Sequence, residues 1–195
     1  RISVSATDRE RMEQLVREGK ILYAGSSNFA GWHLAQAQEL ARSRHFVGLV
    51  SEQSLYNLNE RTIELEVIPA CEAYGIGLIP WSPMARGFFA GNRQRGGGGT
   101  TTRSKSDPFA SELYFREEDF IVAERVQEIA TARGVTGSQI ALAWMLNKPH
   151  ISAPIIGASK LDHLDQAIAA LEIQLTDEEA RRLEEAYQPH PIRGH

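Results

Sequence analysis

Short apolar runs alternate with longer amphipathic stretches along this chain. The runs lie at residues 21–25, 47–53, 76–81 and 151–156. Short strands that are apolar on both faces are typical of a parallel sheet with helices on its two sides. The pattern therefore predicts about four strand–helix units of an α/β fold. It leaves open whether they form a small open sheet or half of a (β/α)8 barrel.

The stretches between the runs have the spacing of helices. Helices are predicted at residues 7–17, 31–43, 63–74, 117–133, 138–146, 161–171 and 176–187. The predicted inner surface of the second helix consists of Trp32, Ala35, Leu40 and Ala41. Pro69 lies inside the third helix, where it either kinks the helix or marks the start of its regular part. Thr176 and Glu179 have the spacing of a capping box at the last helix.

The whole chain, residues 1–195, is expected to form a single domain with one irregular loop. Residues 92–111 interrupt the third unit and include four consecutive glycines, at 96–99, followed by three threonines. A loop of this length inside a compact domain is usually a lid or a disordered excursion. We therefore predict a flexible, glycine-rich lid at 92–111, in which Arg93 and Arg103 are candidate phosphate clamps.

Composition and charge exclude several classes of function. Of the 195 residues, 42% are hydrophobic and 24% are charged, and the net charge of −4 provides no basic field for nucleic acid or an anionic membrane. No apolar run approaches the roughly 20 residues of a membrane span. The single cysteine, Cys71, excludes an internal disulfide framework, and the six histidines show no metal-ligand spacing. We expect a cytoplasmic protein with no nucleic-acid partner, no membrane and no metal. Because position 1 is Arg rather than Met, we expect either a processed chain or a fragment.

Residues with ligand-binding chemistry follow the end of each predicted strand. They are Ser27 and Asn28, Gln53, Trp81 and Ser82, and residues 157–160. In a parallel barrel the carboxyl ends of the strands share one face, and ligands bind there. Amide and hydroxyl groups hold a carboxamide, and an indole offers a flat surface to a heteroaromatic ring. The small residues of 82–87 suit a diphosphate, and the helix start after Lys160 suits a phosphate.

Each of these residues also has an ordinary structural explanation when it is considered alone. Asn28 is a common turn former, Trp81 between two prolines is a packing aromatic, and Lys160 is a solvated charge near a helix start. What favours ligand binding is the order of the set along the chain, which runs from carboxamide to ring, diphosphate and phosphate.

Four motifs resemble those of the aldo/keto reductases. Residues 19–29 (GKILYAGSSNF) are similar to the family signature GKxRxxGxSNF, and residues 51–57 (SEQSLYN) to the strand that follows it. Residues 79–87 (IPWSPMARG) resemble the family's PWSPLxxG loop, and residues 154–159 (PIIGAS) its PIIGA strand. The similarity runs from about residue 8 to about residue 187. It implies the C-terminal half of a (β/α)8 barrel, the TIM-barrel fold, with strands five to eight.

The resemblance implies a cofactor, NADP(H), and a role for each matching residue. Ser27, Asn28 and Gln53 would hold the nicotinamide carboxamide, and Trp81 would stack on the ring. The pyrophosphate would meet Ser82, Met84 and Gly87, and the adenosine 2′-phosphate would meet Gly157, Ser159 and Lys160. His163 and Gln166 would contact the adenine half. Ala167 stands where many members have Asn, so weaker adenine recognition is expected.

The implied reaction is hydride transfer to an aldehyde or ketone, an oxidoreductase activity. The family's catalytic Tyr, Lys, Asp and His lie N-terminal to the matching segment, so no catalytic residue is assigned here, and neither Tyr56 nor His150 is expected to replace them. The isolated chain is therefore expected to be inactive. Two alternatives are a noncatalytic NADP(H)-binding regulatory subunit and an inactive truncated product. Exposed barrel edges would favour self-association. The sequence leaves the substrate, the oligomeric state and the NADP or NAD preference open.

Overall fold

The computed structural model describes residues 6–95 and 113–190, which fall into two compact units. The first unit comprises residues 6–54 and 63–79, and the second comprises 55–62, 80–95 and 113–190. The helices are α1 (Ala6–Arg17), α2 (Gly31–Ser43), α3 (Val67–Tyr74), α4 (Glu117–Arg133), α5 (Gly137–Leu146), α6 (Leu161–Ala169) and α7 (Asp177–Glu184). The strands are β1 (Ala24–Ser27), β2 (Leu49–Gln53) and β3 (Gly77–Leu78). The single domain at 1–195 stays a prediction.

The first unit contains a parallel sheet in which β1, β2 and β3 are neighbours in chain order. Gly25 pairs with Ser51 and Ser27 with Gln53, so β1 and β2 end at the same level. The strands approach closely at Gly25, where a Cβ atom would lie 2.3 Å from the Ser51 hydroxyl oxygen. The predicted α/β fold with a parallel sheet is confirmed.

Helix α2 has the predicted bounds, but only part of its predicted inner face is confirmed: Ala41 is buried and Ala35 is half-buried. Its buried residues are Gly31, Leu34, Ala37, Gln38 and Ala41. Trp32, predicted to face inward, is 60% exposed, and Leu40 is exposed as well. The reason is that Gln38 faces the sheet: its side-chain amide accepts from the Leu49 N–H at 2.7 Å and donates to the Leu49 carbonyl at 3.1 Å. A polar residue with both hydrogen bonds satisfied takes a place that the apolar pattern assigned elsewhere.

Helix α3 begins later than the apolar pattern predicts. It starts at Val67, after a short 3-10 turn at Thr62–Glu64, which places Pro69 in its first turn. A proline is tolerated there because the first N–H groups of a helix have no partner within the helix. Gly75 ends the helix in the left-handed conformation. Pro69 therefore marks the start of the regular helix, one of the two predicted outcomes.

The second unit is built mainly from helices. Trp144 and Met145 of α5, Val126 of α4 and Leu183 of α7 are almost fully buried in its core. The predicted strand at 151–156 is reduced to one bridge, in which the Ile155 N–H donates to the Pro80 carbonyl at 2.7 Å beside Trp81. Pro154 has no N–H to extend such pairing. No helix within 6–95 and 113–190 is long and apolar enough to cross a membrane.

Candidate functional site

The three residues predicted to hold a carboxamide lie together in the first unit, where β1 and β2 end. The Gln53 carbonyl accepts two hydrogen bonds, from the Ser27 hydroxyl and from the Asn28 N–H, both at 3.0 Å. Asn28 has φ 53°, a left-handed conformation that turns the chain away from β1. Ser27 and Asn28 are exposed and Gln53 is half-buried, so all three are within reach of a ligand.

Directly beneath this turn lies a carboxylate that sequence reasoning missed. Glu52 of β2 is fully buried. Its Oε1 accepts from the Phe29 N–H at 3.1 Å and from the Ser54 hydroxyl at 2.7 Å, and its Oε2 accepts from the Ser26 hydroxyl. The available signal was a charged residue inside a strand that is otherwise covered by helices, because such a charge is normally hydrogen-bonded or paired.

In the second unit, the residues predicted for the ring and the diphosphate form a tight turn. Ser82, Ala85 and Arg86 all have positive φ, between 46° and 60°. The Ala85 N–H donates to the Ser82 carbonyl and the Gly87 N–H to the Met84 carbonyl, both at 3.0 Å. These two N–H groups are therefore engaged within the turn. Non-glycine residues in this conformation are strained, and such residues cluster at ligand sites.

A buried amide holds this turn in place. Asn57 is fully buried and donates from Nδ2 to the Ser82 carbonyl at 3.0 Å and to the Tyr114 hydroxyl at 2.9 Å. Burial raises the pKa of Tyr114, although the hydrogen bonds with Asn57 and Ser82 act in the opposite direction. Tyr114 is therefore a neutral structural hydroxyl at ordinary pH. Sequence reasoning assigned no role to Asn57, although it is the last residue of the motif at 51–57, because it is one of several polar residues between 51 and 60.

The residues predicted for the 2′-phosphate lead into helix α6. Gly157, Ser159 and Lys160 are exposed, and Lys160 is the residue before the first turn of the helix. A Cβ atom at Gly157 would meet nothing within 4 Å, and its φ is not in the left-handed region. The fold itself therefore does not require glycine at this position, which leaves room for a ligand to approach the backbone. The bridge between Trp81 and Ile155 brings this segment beside the turn at 82–87.

The two residues predicted for the adenine half differ in their surroundings. His163 is exposed. Gln166 is half-buried and donates from Nε2 to the Asp162 carboxylate at 2.7 Å. Asp162 lies in the first turn of α6, so it adds negative charge where the 2′-phosphate is predicted. Met84 is half-buried in its turn, as is Trp81.

The predicted phosphate clamps are only partly within the described residues. Arg93 is buried, and its Nη2 donates to the Arg86 carbonyl at 3.2 Å, so it holds the turn at 82–87. Arg103 and residues 96–111 of the predicted lid lie outside the described residues.

Other reactive residues take structural places. Tyr56 is fully buried and packs on Trp144 at 5.3 Å and on His150 at 6.1 Å between ring centroids. Burial raises the pKa of Cys71 to about 12, and the charge of Glu52 acts in the same direction, so the thiol stays protonated. Within 6–95 and 113–190, no cluster of three His, Cys, Asp or Glu residues is arranged to hold a metal ion.

Comparisons with known proteins agree with the motifs. The sequence model of the aldo/keto reductase family matches residues 9–188. The uncharacterized oxidoreductase YrpG of Bacillus subtilis is 40% identical over 91% of this chain and 52% of its own length. A putative aryl-alcohol dehydrogenase of Schizosaccharomyces pombe is 37% identical over 98% of this chain and 54% of its own, and versiconal hemiacetal acetate reductase of Aspergillus parasiticus is 36% identical over 93% and 52%. The chain spans about half the length of these curated relatives.

Proposed function

This chain belongs to the aldo/keto reductase family, and we propose that it carries the cofactor-binding half of an NADP(H)-dependent reductase of aldehydes or ketones. The observation that carries the proposal is the arrangement of Ser27, Asn28 and Gln53. A hydroxyl and two side-chain amides, brought to the end of two adjacent parallel strands, present the donors and acceptors that a carboxamide needs.

The proposed contacts of the second unit concern the remaining parts of the cofactor. Trp81 offers its indole to the nicotinamide ring. The turn with Ser82, Met84 and Gly87 meets the diphosphate. Beyond the bridge at Ile155, residues Gly157, Ser159 and Lys160 at the start of α6 meet the 2′-phosphate. His163 and Gln166 contact the adenine half.

The preference for NADP(H) over NAD(H) rests on Lys160. A lysine before a helix N-terminus combines a full charge with the free N–H groups of the first turn, and both attract a phosphate dianion. Asp162 opposes this attraction from within the same turn. The proposal is that Lys160 prevails, because its flexible side chain carries the charge directly to the phosphate.

We further propose that the chain corresponds to strands five to eight of a (β/α)8 barrel. Strands that are neighbours in its sheet are also consecutive along the chain, as they are in a barrel. The chain also spans about half of its relatives. The Tyr, Lys, Asp and His that the family uses for proton transfer would then belong to the other half, and reduction would require both halves.

A titration with NADPH that follows tryptophan fluorescence tests cofactor binding. We expect saturable quenching that Trp81→Phe reduces strongly, whereas Trp32→Phe is the matched control, because Trp32 is exposed on α2. Replacing Lys160 with Ala should weaken NADPH binding about tenfold or more, the effect of losing a hydrogen bond between charged groups, and leave NADH binding nearly unchanged. Absence of saturable binding by the wild-type chain would contradict the proposal. Binding by a longer parent that turns over no aldehyde or ketone would favour the noncatalytic subunit.

A further inference from the structure

A buried acidic residue fixes the backbone turn that carries Asn28. We propose that Glu52 is the positioning residue of the carboxamide-binding turn: its carboxylate holds the Phe29 N–H and thereby keeps Asn28 in its left-handed conformation. This inference rests on the proposed function, because it assigns the turn to the nicotinamide carboxamide. Glu52 itself would not touch the cofactor.

The hydrogen bonds of Glu52 come from both sides of the turn. In the described part of the chain, three donors meet the carboxylate: Ser26 within β1, Phe29 just after Asn28, and Ser54 just after β2. One bond therefore precedes Asn28 in the chain and one follows it. With both flanks attached to one rigid group on the neighbouring strand, the two residues between them have little freedom to move.

The conformation of Asn28 needs such a restraint. Asn tolerates the left-handed region better than most residues with a Cβ atom, but it also populates the other allowed regions, so the conformation of the turn is defined only where its neighbours are held. A ligand that binds only the left-handed form would lose affinity in proportion to the fraction of molecules that leave it. A preformed turn avoids this loss, because the restraint is already present before the cofactor arrives.

The donors also explain why an acidic residue is tolerated at a fully buried position. A buried carboxylate is unfavourable unless hydrogen bonds compensate for the lost hydration. The two serine hydroxyls can rotate to suit another partner, but the Phe29 N–H always needs an acceptor. An oxygen at the Oε1 position is therefore the essential part of the side chain, and a glutamine could supply it.

The test compares substitutions that keep or remove this oxygen. Glu52→Leu removes the acceptor with a similar side-chain volume, and Glu52→Gln retains one oxygen. Glu66→Leu is the matched control, since Glu66 also accepts a backbone N–H in the first unit, from Gly31 at 3.1 Å. Each variant of the 195-residue chain is titrated with NADPH and with 2′-phospho-ADP-ribose, which lacks the nicotinamide.

We expect wild-type protein to bind NADPH more tightly than 2′-phospho-ADP-ribose, and Glu52→Leu to reduce this ratio about tenfold, the effect of losing one hydrogen bond to a charged group. Affinity for 2′-phospho-ADP-ribose should stay unchanged, whereas general damage to the structure would lower both affinities. Glu52→Gln should restore most of the ratio, and Glu66→Leu should keep it. A folded Glu52→Leu protein with the wild-type ratio would overturn the proposal, as would an equal loss in Glu66→Leu.

Two further measurements keep the outcome decisive. If Glu52→Leu does not fold, Glu52→Asp takes its place, because the shorter side chain cannot reach all three donors. Amide hydrogen exchange at Phe29 reports the turn without any cofactor, and it should be faster in the variant than in wild type. Wild-type protein that binds neither nucleotide would contradict the proposed function, and Phe29 exchange would then decide the role of Glu52. Unchanged exchange would overturn that role.

Discussion

Left-handed backbone at non-glycine residues concentrates where the cofactor contacts are proposed. Within the described residues, Asn28, Ser82, Ala85 and Arg86 have positive φ at these positions, and His45 and Phe115 have it elsewhere. Apart from Asn, which tolerates this conformation, such residues are strained by about 1–3 kcal/mol and persist only where their surroundings fix them. For Ser82 the fixing group is Asn57, whose amide donates to the Ser82 carbonyl.

Replacing Asn57 with Ala should destabilise the chain by about 2–3 kcal/mol. The change leaves the Ser82 carbonyl and the buried Tyr114 hydroxyl without this donor, and an unsatisfied buried polar group costs about 1–3 kcal/mol. Urea unfolding measures the difference in the free energy of unfolding. Asn147→Ala is the control, because Asn147 also donates an amide hydrogen to a carbonyl, at 2.9 Å, but is exposed. A cost within 0.5 kcal/mol of that control would be evidence against the role of Asn57.

The residues that sequence patterns identify are the exposed ends of the strands, because polar groups next to an apolar run are conspicuous. The buried groups beneath these strand ends are not conspicuous in the sequence. Glu52 lies in β2 and Asn57 a few residues beyond it, and both owe their roles to partners distant along the chain, 23 residues away at Phe29 and 57 residues away at Tyr114. No local pattern encodes such pairings, so only the folded structure reveals them.

At the scale of elements, a bidentate ion pair connects the end of α4 to the start of α7. Arg133 donates from Nε and Nη2 to the two carboxylate oxygens of Glu179, at 2.6 and 2.5 Å. Glu179 also closes the predicted capping box, since its Oε2 accepts from the Thr176 N–H at 2.8 Å. Glu179 is partly shielded from solvent, whereas Arg133 is an exposed residue, so salt screens this pair only a little less than a fully exposed one.

Stability of the chain should therefore depend on pH through Glu179. The hydrogen bonds from Arg133, which outweigh partial desolvation, lower the pKa of Glu179 from 4.5 to about 2. A depressed carboxyl pKa gives stability that is fully present above the ordinary value and is lost as pH falls through 4.5 toward 2. Because solvent screens the pair, Glu179→Gln should cost at most about 1 kcal/mol at pH 7, and the difference from wild type should shrink as pH falls toward 2.

Thermal unfolding followed by circular dichroism between pH 3 and pH 7 measures this dependence. The control is Glu178→Gln, in the same helical turn, where the carboxylate pairs with Arg181 and both side chains are exposed. That variant should have a smaller effect on stability. A difference between Glu179→Gln and wild type that stays constant across this range would contradict the assignment.

Helix positions could be predicted from sequence more fully than strands. The bounds of α2 and α4 agree with the apolar spacing, because a helix satisfies its hydrogen bonds locally. Strand β3 has two residues instead of the predicted six, and 151–156 contributes one bridge. Strand length depends on partners elsewhere in the chain. Pro80 lacks an N–H donor between β3 and the bridges of Trp81, and Pro154 lacks one just before the bridge at Ile155.

At the scale of the whole molecule, each unit has exposed apolar side chains that a soluble surface does not need. In the first unit, Leu22, Tyr23 and Val47 lie just before β1 and β2 and are 68–79% exposed. In the second unit, α6 and the turn after it expose Leu161, Leu164, Ile168 and Leu171, and α6 has no fully buried residue. Large apolar side chains exposed on one helix, as on α6, are expected at an interface. The other half of the proposed barrel would cover them.

The apolar face of α6 should therefore drive association of the isolated chain. Sedimentation velocity at increasing protein concentration should show self-association that the double substitution Leu164→Gln and Ile168→Gln reduces. The free energy of unfolding should change by less than about 1 kcal/mol, because both side chains are already exposed. Leu183→Gln is the contrasting variant: Leu183 is fully buried, so the same change should cost about 3 kcal/mol or more.

If a longer parent supplies the other half of the barrel, that half should bind the wild-type chain and should lose affinity for the double variant. Association that the double substitution leaves unchanged would place the interface elsewhere.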